Sequence, residues 1–290
     1  MARSLDYYWK LLQWTLHHYR PEHDVTIETA NGLLSCSSRD WLIGKHLFVH
    51  RNYELDFIKT SIRFLESEGF LKPGKKRAVA DIGANLGMIC IALLRENFFE
   101  KAIAFEPSPR NFRLLEKNVR QNNFADRIRC FPLALSSENK SIEFEIDETN
   151  SGDSRVRKTE GGGELKEHKR RLVSVEAKTF DSFLPENEAA ASPREIDLFW
   201  IDIQGHEGHF FKGARRFFQE HKVPVINEFW GYGILRSGMT REEYCRVVGE
   251  TFEKFYYWTE NEFQVKSTTE IEKLFDKFGK PREIASIILV

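Results

Sequence analysis

Asp81, Gly83, Asn85 and Gly87 sit close together in VADIGANLGMICIAL (79–93), between two apolar runs. A parallel strand that ends in a carboxylate and a glycine turn, and then enters a helix, builds the floor of a ligand site. Ligands of open α/β sheets bind at the carboxyl ends of the strands, where the strand order reverses. Glycine admits φ > 0 at no steric cost and lets a ligand approach the backbone, and asparagine also tolerates the left-handed region. A second acid, Glu106 in AIAFEP, closes the next apolar run 19 residues after Gly87. At that strand tip a carboxylate can accept from both hydroxyls of a ribose.

The glycine spacing is G-x-x-x-G with asparagine in the middle, not the G-x-G-x-x-G of a dinucleotide site. Asp81 beside it would repel a pyrophosphate and attract an ammonium group. S-adenosylmethionine carries a ribose, an amino acid and a sulfonium but no phosphate, so it fits better than NAD. A third carboxylate, Asp202, ends an apolar strand in IDLFWIDIQGHEGHFFKGA (196–214), ahead of a helix starting near Glu207. It faces the reactive end of such a cofactor. Glu228, closing the fifth strand in VINEF, lies at the same sheet edge. His206 and His209 lack the i, i+4 spacing of a helical zinc pair, so no metal site is expected.

These residues need a scaffold. From residue 77 apolar strand-like runs alternate with amphipathic helices: AVADI, LGMICIALLREN, AIAFE, SPRNFRLLEKNVRQNN, RIRCFPLAL. The pattern predicts a doubly wound, mostly parallel sheet. Ser108 and Pro109 suit the N-cap and first position of a helix, and Thr240–Glu243 and Ser267–Glu270 fit capping boxes. EIASIILV is the closing strand. Before residue 74, a helical pattern spans 5–19, an Asn31-Gly32 hairpin follows, and a second helix spans 54–69. Residues 1–73 read as an N-terminal helical and hairpin cap, and 74–290 as the ligand-binding domain. Residues 148–171 read as a loop, and 155–171 hold seven Lys/Arg against three Glu. That is the pattern of a solvated loop, or of a mobile lid over an anionic substrate.

VADIGANLG, AIAFEPSPRNFRLLEKNV, the SGDSRV loop and IDLFWIDIQGHEGHFFKGA together resemble the FkbM family of methyltransferases, over about residues 77–229. The resemblance implies a class I methyltransferase fold: a Rossmann-like doubly wound sheet with an antiparallel last strand. It also implies S-adenosylmethionine as cofactor and transfer to a hydroxyl oxygen on a sugar, glycoconjugate or secondary metabolite. On this reading Gly83, Ala84, Asn85 and Gly87 cradle the methionine part and Asp81 contacts its amino group. Glu106 holds the ribose, with Pro107 and Ser108 shaping the turn, and Ala134 and Leu135 flank the adenine. An alcohol needs a base, for which Asp202 and His206 are the candidates, and Glu228 binds acceptor hydroxyls. The family often carries lysine two residues before the aspartate of the fourth strand, where this chain has Trp200. Trp200, Trp230 and Tyr232 lie near the expected strand tips, where they either offer aromatic surface for stacking on a sugar or pack into the core.

The bulk composition narrows the alternatives. With 43 Lys+Arg against 44 Asp+Glu, the chain has no overall basic excess for a nucleic-acid partner. It also lacks an N-P-P-Y motif. An NAD-binding oxidoreductase would want a Tyr-x-x-x-Lys pair, also missing, while a non-catalytic Rossmann-like module would not need three intact strand-tip carboxylates. The four scattered cysteines form no CxxC pair, and the N-terminus carries no long apolar segment. A cytoplasmic enzyme without a membrane span is expected. Its partner would be a small-molecule or carbohydrate hydroxyl acceptor, and a homodimer is compatible with the sequence.

Overall fold

Ser4 starts the chain's first helix, its hydroxyl accepting from the Tyr7 amide, and Pro21 follows the end of that helix, α1 (Leu5–Tyr19). The computed structural model describes residues 4–74, 78–157, 163–165, 167–187, 195–259 and 262–290. The Asn31-Gly32 turn joins β1 (Asp24–Thr29) to β2 (Gly32–Ser37), with Thr29 opposite Gly32. Asn31 also clamps a later segment: its amide nitrogen donates to the Tyr53 carbonyl and its oxygen accepts from the Tyr53 amide, both at 2.8 Å. This fixes the approach to α3 (Leu55–Ser67), which follows α2 (Ile43–His50).

The alternating segment then delivers β3 (Ala78–Ile82), α4 (Met88–Arg95), β4 (Lys101–Phe105), α5 (Pro109–Gln121) and β5 (Ile128–Phe131). A small side sheet comes next: β6 (Ala134–Leu135), β7 (Lys140–Ile146), β8 (Arg155–Val156) and β9 (Arg171–Lys178), in spatial order β6-β9-β7-β8. After α6 (Phe180–Glu186) the main sheet resumes with β10 (Ile196–Ile201), α7 (Glu207–Gly213), α8 (Arg215–Glu220) and β11 (Val225–Phe229). The chain closes with α9 (Gly231–Arg236), α10 (Arg241–Thr251), the hairpin β12 (Lys254–Thr259) and β13 (Glu262–Ser267), α11 (Glu272–Lys277) and β14 (Ala285–Leu289).

The main sheet has eight strands in the order β13-β12-β14-β11-β10-β3-β4-β5. β5, β4, β3, β10 and β11 run parallel, and β14 enters antiparallel beside β11. This is the doubly wound Rossmann-like sheet with an antiparallel last strand expected from the sequence. The chain winds outward from β3 in one direction and from β10 in the other, so the crevice between their tips is the switch point where ligands bind.

Side chains alternate across this sheet, and each face is buried. Val79, Leu198, Trp200 and Ile226 face a cluster that also contains Trp14, Ile27, Ile58 and Ile62, so the N-terminal elements share a core with α4 and α5. Ala80, Ile82, Phe199 and Ile201 face the other way, into a phenylalanine-rich layer. There the Phe199 ring lies 5.1–5.8 Å from those of Phe180, Phe210, Phe217 and Phe218. Many of the chain's 24 phenylalanines are used in this layer. The same alternation brings Asp81, Asp202 and Glu228 onto the face of Trp200, because Trp200 pairs with both Asp81 and Ile226 in register.

Candidate functional site

One cavity of about 680 Å³ opens at the carboxyl ends of β3, β4, β10 and β11. That is within the usual size of small-molecule sites. Its floor is the turn after β3. The Gly83 and Ala84 amides both donate to the Phe105 carbonyl, at 3.0 and 2.9 Å, which ties that turn to the tip of β4. Gly83 has φ +84°, and a Cβ there would lie 1.9 Å from the Asp202 carbonyl oxygen. Only glycine lets the β3 and β10 tips close to this distance. Asn85 adopts φ 50°, and its side-chain oxygen is buried without a hydrogen-bond partner among the described residues.

Glu106 is held from both sides. Its Oε2 accepts from the Asn85 amide at 2.9 Å and its Oε1 from the Ser108 amide at 2.8 Å. Each oxygen keeps a lone pair, and the residue lines the cavity. Burial pushes its carboxyl up to about 7. Asp81, 1% exposed, accepts from the Cys90 amide at 3.1 Å in the first turn of α4, and burial raises it to about 7.

The cavity lining carries a second group of carboxyls, Asp202 and Glu228. One amide nitrogen, Nε2 of Gln204, donates to Asp202 Oδ1 at 2.6 Å and to Glu228 Oε1 at 3.0 Å. Burial raises Asp202 to about 6. It lifts Glu228 well above the usual carboxylate range, with Asp202 adding to the effect. Two like charges bridged by one donor resist ionising together, so the pair holds a proton near neutrality. Below them Glu207 accepts from the Ile203 and Gly205 amides, both at 3.2 Å, and closes the turn that presents Gln204. His206 is 2% exposed, its Nε2 shares a 2.9 Å hydrogen bond with the Ser136 hydroxyl, and its ring stacks on His209 at 4.4 Å.

Of the residues singled out in the sequence, Asp81, Gly83, Ala84, Asn85, Glu106, Pro107, Ala134, Leu135, Asp202, His206 and Glu228 line this one cavity. Gly87 and Ser108 stand behind it. Gly87, at φ 83°, is the N-cap of α4, and the Ser108 hydroxyl caps α5 by accepting from the Asn111 amide. Tyr53, Glu54, Gln204 and Arg282 line the cavity and had not been selected. Gln204 was discoverable, since it follows the strand-tip Asp202 by two residues. Tyr53 and Glu54 enter from the N-terminal region through the Asn31 clamp, which no local pattern announces.

Trp200 fills the position where lysine is frequent, 6% exposed, with its ring edge-on to Phe57 at 6.0 Å. Trp230 is 3% exposed, with the Arg155 guanidinium 4.8 Å from its ring. The arginines of the basic segment are not free cations. Arg155 reaches Glu145 at 3.0 Å, Asp153 at 2.6 Å and Glu167 at 3.0 Å, and Arg170 also binds Glu145 and Asp153. The Tyr232 hydroxyl donates to Glu167 at 2.6 Å. Where it is described, the segment is therefore an internally paired wall rather than a solvated loop. Residues 158–162 and 166 lie outside the described residues. Among the described residues no group of three or more His, Cys, Asp or Glu is arranged to hold a metal, and no helix is long and apolar enough to cross a membrane.

The sequence pattern of the methyltransferase FkbM domain matches residues 81–280. The 2-O-methyltransferase NoeI of Sinorhizobium fredii is 28% identical over 148 residues, 47% of this chain and 57% of that protein. The methyltransferase sdnD of Sordaria araneosa is 25% identical over 170 residues, 52% of this chain and 66% of that protein. The matched regions thus span less than two thirds of either relative. A crystal structure of a methyltransferase FkbM from Methylobacillus flagellatus superposes with a TM-score of 0.48 at 15% identity, covering 85% of this chain and 54% of the other.

Proposed function

This chain belongs to the methyltransferase FkbM family, and from that premise we propose that it methylates a hydroxyl oxygen of a polyhydroxylated acceptor, a sugar or a glycosylated metabolite, with S-adenosylmethionine as donor. The observation that carries this reading is one cavity lined both by Glu106, held by the Asn85 and Ser108 amides, and by Asp202 and Glu228, bridged by the Gln204 amide.

The residues fit the cofactor. The Asn85 oxygen is buried without a hydrogen-bond partner among the described residues on the turn that lines the cavity, and the lone pairs Glu106 keeps beyond the Asn85 and Ser108 amides match a vicinal diol. Asp81 supplies negative charge for an ammonium group, and Ala134 and Leu135 supply an apolar wall for a purine. When bound, S-adenosylmethionine supplies an electrophilic methyl carbon. The chain's own task is to align an alcohol and take its proton. Asp202, raised to about 6, is matched to that task near neutral pH. Gln204 holds Asp202 and Glu228 in place, and Glu228 accepts from a neighbouring acceptor hydroxyl. His206 is tied to Ser136 and orients the turn, with Asp202 as base. Tyr53 and Glu54 from the N-terminal cap, residues 1–73, border the acceptor end. Four free cysteines support a reducing, cytoplasmic setting.

The test measures release of S-adenosylhomocysteine over a panel of free and glycosidic sugars, for the wild type and Asp202→Asn. We expect turnover with a neutral sugar, and a loss of roughly a hundredfold or more in the variant with unchanged cofactor affinity. Unchanged turnover in the variant would remove Asp202 from the reaction.

A further inference from the structure

Helix α1 is apolar on two opposite sides. Its inner side buries Trp14, whose ring lies 5.5 Å from that of Phe48 on α2. Its outer side presents Leu5, Tyr8, Trp9, Leu12, Leu16 and Tyr19, each between 50% and 89% exposed. At 3.6 residues per turn these six fall within an arc of about 100°. No charge interrupts the arc, since the charged side chains of the helix, Asp6 and Lys10, pair with each other at 2.7 Å. An exposed apolar patch of this kind marks a docking surface.

Three features identify the occupant. Side chains of these types bury about 150–250 Å² when aromatic and somewhat less for leucine, so the exposed fractions amount to roughly 800 Å², what one partner contributes to a standard stable interface. The stripe is also close to symmetric about its middle residue. Leu5, Leu12 and Tyr19 are spaced by seven, and Tyr8, Leu12 and Leu16 by four. A two-fold interface requires a patch complementary to itself, and an antiparallel pair centred on Leu12 would set Leu5 against Tyr19 and Tyr8 against Leu16 of the other copy. Finally, the helix carries one lysine and one aspartate, with none of the Lys/Arg excess that holds an amphipathic helix on an anionic bilayer.

We propose that a second copy of this chain docks on the outer face of α1, forming a two-fold dimer whose antiparallel α1 helices cross at Leu12. The contact lies on the far side of α1 from the core, so removing it leaves each chain's fold intact.

Sedimentation velocity at micromolar concentration tests the proposal. The wild type is expected at twice the 34.0 kDa chain mass. The double variant Leu12→Glu/Leu16→Glu is expected as a monomer with unchanged circular dichroism and melting, its dimer weakened by at least roughly a hundredfold. A short thiol cross-linker tests the register against the wild-type background of native cysteines. Leu12→Cys should cross-link to itself, Leu5→Cys should not, and Leu5→Cys combined with Tyr19→Cys should. A monomeric wild type, a dimer that survives the double variant, or equal cross-linking of Leu5→Cys and Leu12→Cys would overturn the proposal. So would a monomer that sediments with phosphatidylcholine/phosphatidylglycerol vesicles, which would assign the face to a membrane.

Discussion

Replacing Gly83 by alanine would put a methyl carbon 1.9 Å from the Asp202 carbonyl oxygen and 2.8 Å from its carbon. Both are backbone atoms. The Asp202 amide is itself held by the Ile82 carbonyl at 2.9 Å, so the β10 tip cannot step aside without breaking the ladder to β3. The backbone angle, φ +84°, costs alanine about 1–2 kcal/mol. Forcing a methyl group into a packed site adds about 1–3 kcal/mol. A total of roughly 2–5 kcal/mol corresponds to a fall in Tm of about 5–15 °C for a chain of this size. Gly87→Ala is the internal control. Its φ is nearly the same, +83°, but its methyl would meet the tips of Leu115 and Ile91 at 2.8 and 3.0 Å, and those side chains can rotate. That variant should lose only about 1–2 kcal/mol. Differential scanning calorimetry of the ligand-free variants reads both. An unchanged Tm for Gly83→Ala, or a larger loss for Gly87→Ala, would refute the reasoning that backbone contact between the β3 and β10 tips dictates glycine at 83.

Two further predictions follow from buried charge. Glu106 is raised from 4.5 to about 7, so the folded protein holds this proton more tightly than the unfolded chain. Its contribution is complete below about pH 4.5 and is lost as pH rises through 7. Ligand-free Glu106→Gln should therefore match the wild type near pH 5 and gain on it by up to about 3 kcal/mol above pH 8, measured by denaturant unfolding. A difference independent of pH would contradict the burial argument. Arg155→Ala removes the cation shared by Glu145, Asp153 and Glu167, leaving Glu145 to Arg157 and Arg170 and Glu167 to Tyr232, and should cost about 3–5 kcal/mol in the same assay, while a loss under 1 kcal/mol would mean those remaining partners suffice to hold the buried carboxylates.

The strand tips were legible in the sequence because their determinants are local. An apolar run, a carboxylate and a glycine turn are contiguous in 79–87, and Ser108-Pro109 announces its helix within two residues. That the main sheet is doubly wound and mostly parallel followed from the alternation of strand and helix. What escaped were features whose partners are distant in the chain. The basic segment looked cationic because the window 155–171 held only three acids, but Glu145 and Asp153, which neutralise it, precede that window. The β12–β13 hairpin was not anticipated, because Phe263 and Tyr256 find their apolar partner, Phe64, on α3. Thr240 caps α10 as expected, accepting from the Glu243 amide at 3.1 Å, but the Glu243 side chain turns to Lys212 at 2.8 Å instead of closing a capping box. The apolar spacing in 5–19 gave a helix, and the same pattern concealed that most of its apolar residues, Leu5, Tyr8, Trp9, Leu12, Leu16 and Tyr19, face outward.

The most direct test of the central claim is calorimetric titration of the wild type and Glu106→Ala with S-adenosylhomocysteine, S-adenosylmethionine and NAD. One site of micromolar affinity is expected for both adenosyl compounds, weakened by roughly a hundredfold or more in Glu106→Ala, with no binding of NAD. Binding of NAD alone, or adenosyl binding that Glu106→Ala leaves unchanged, would contradict that claim.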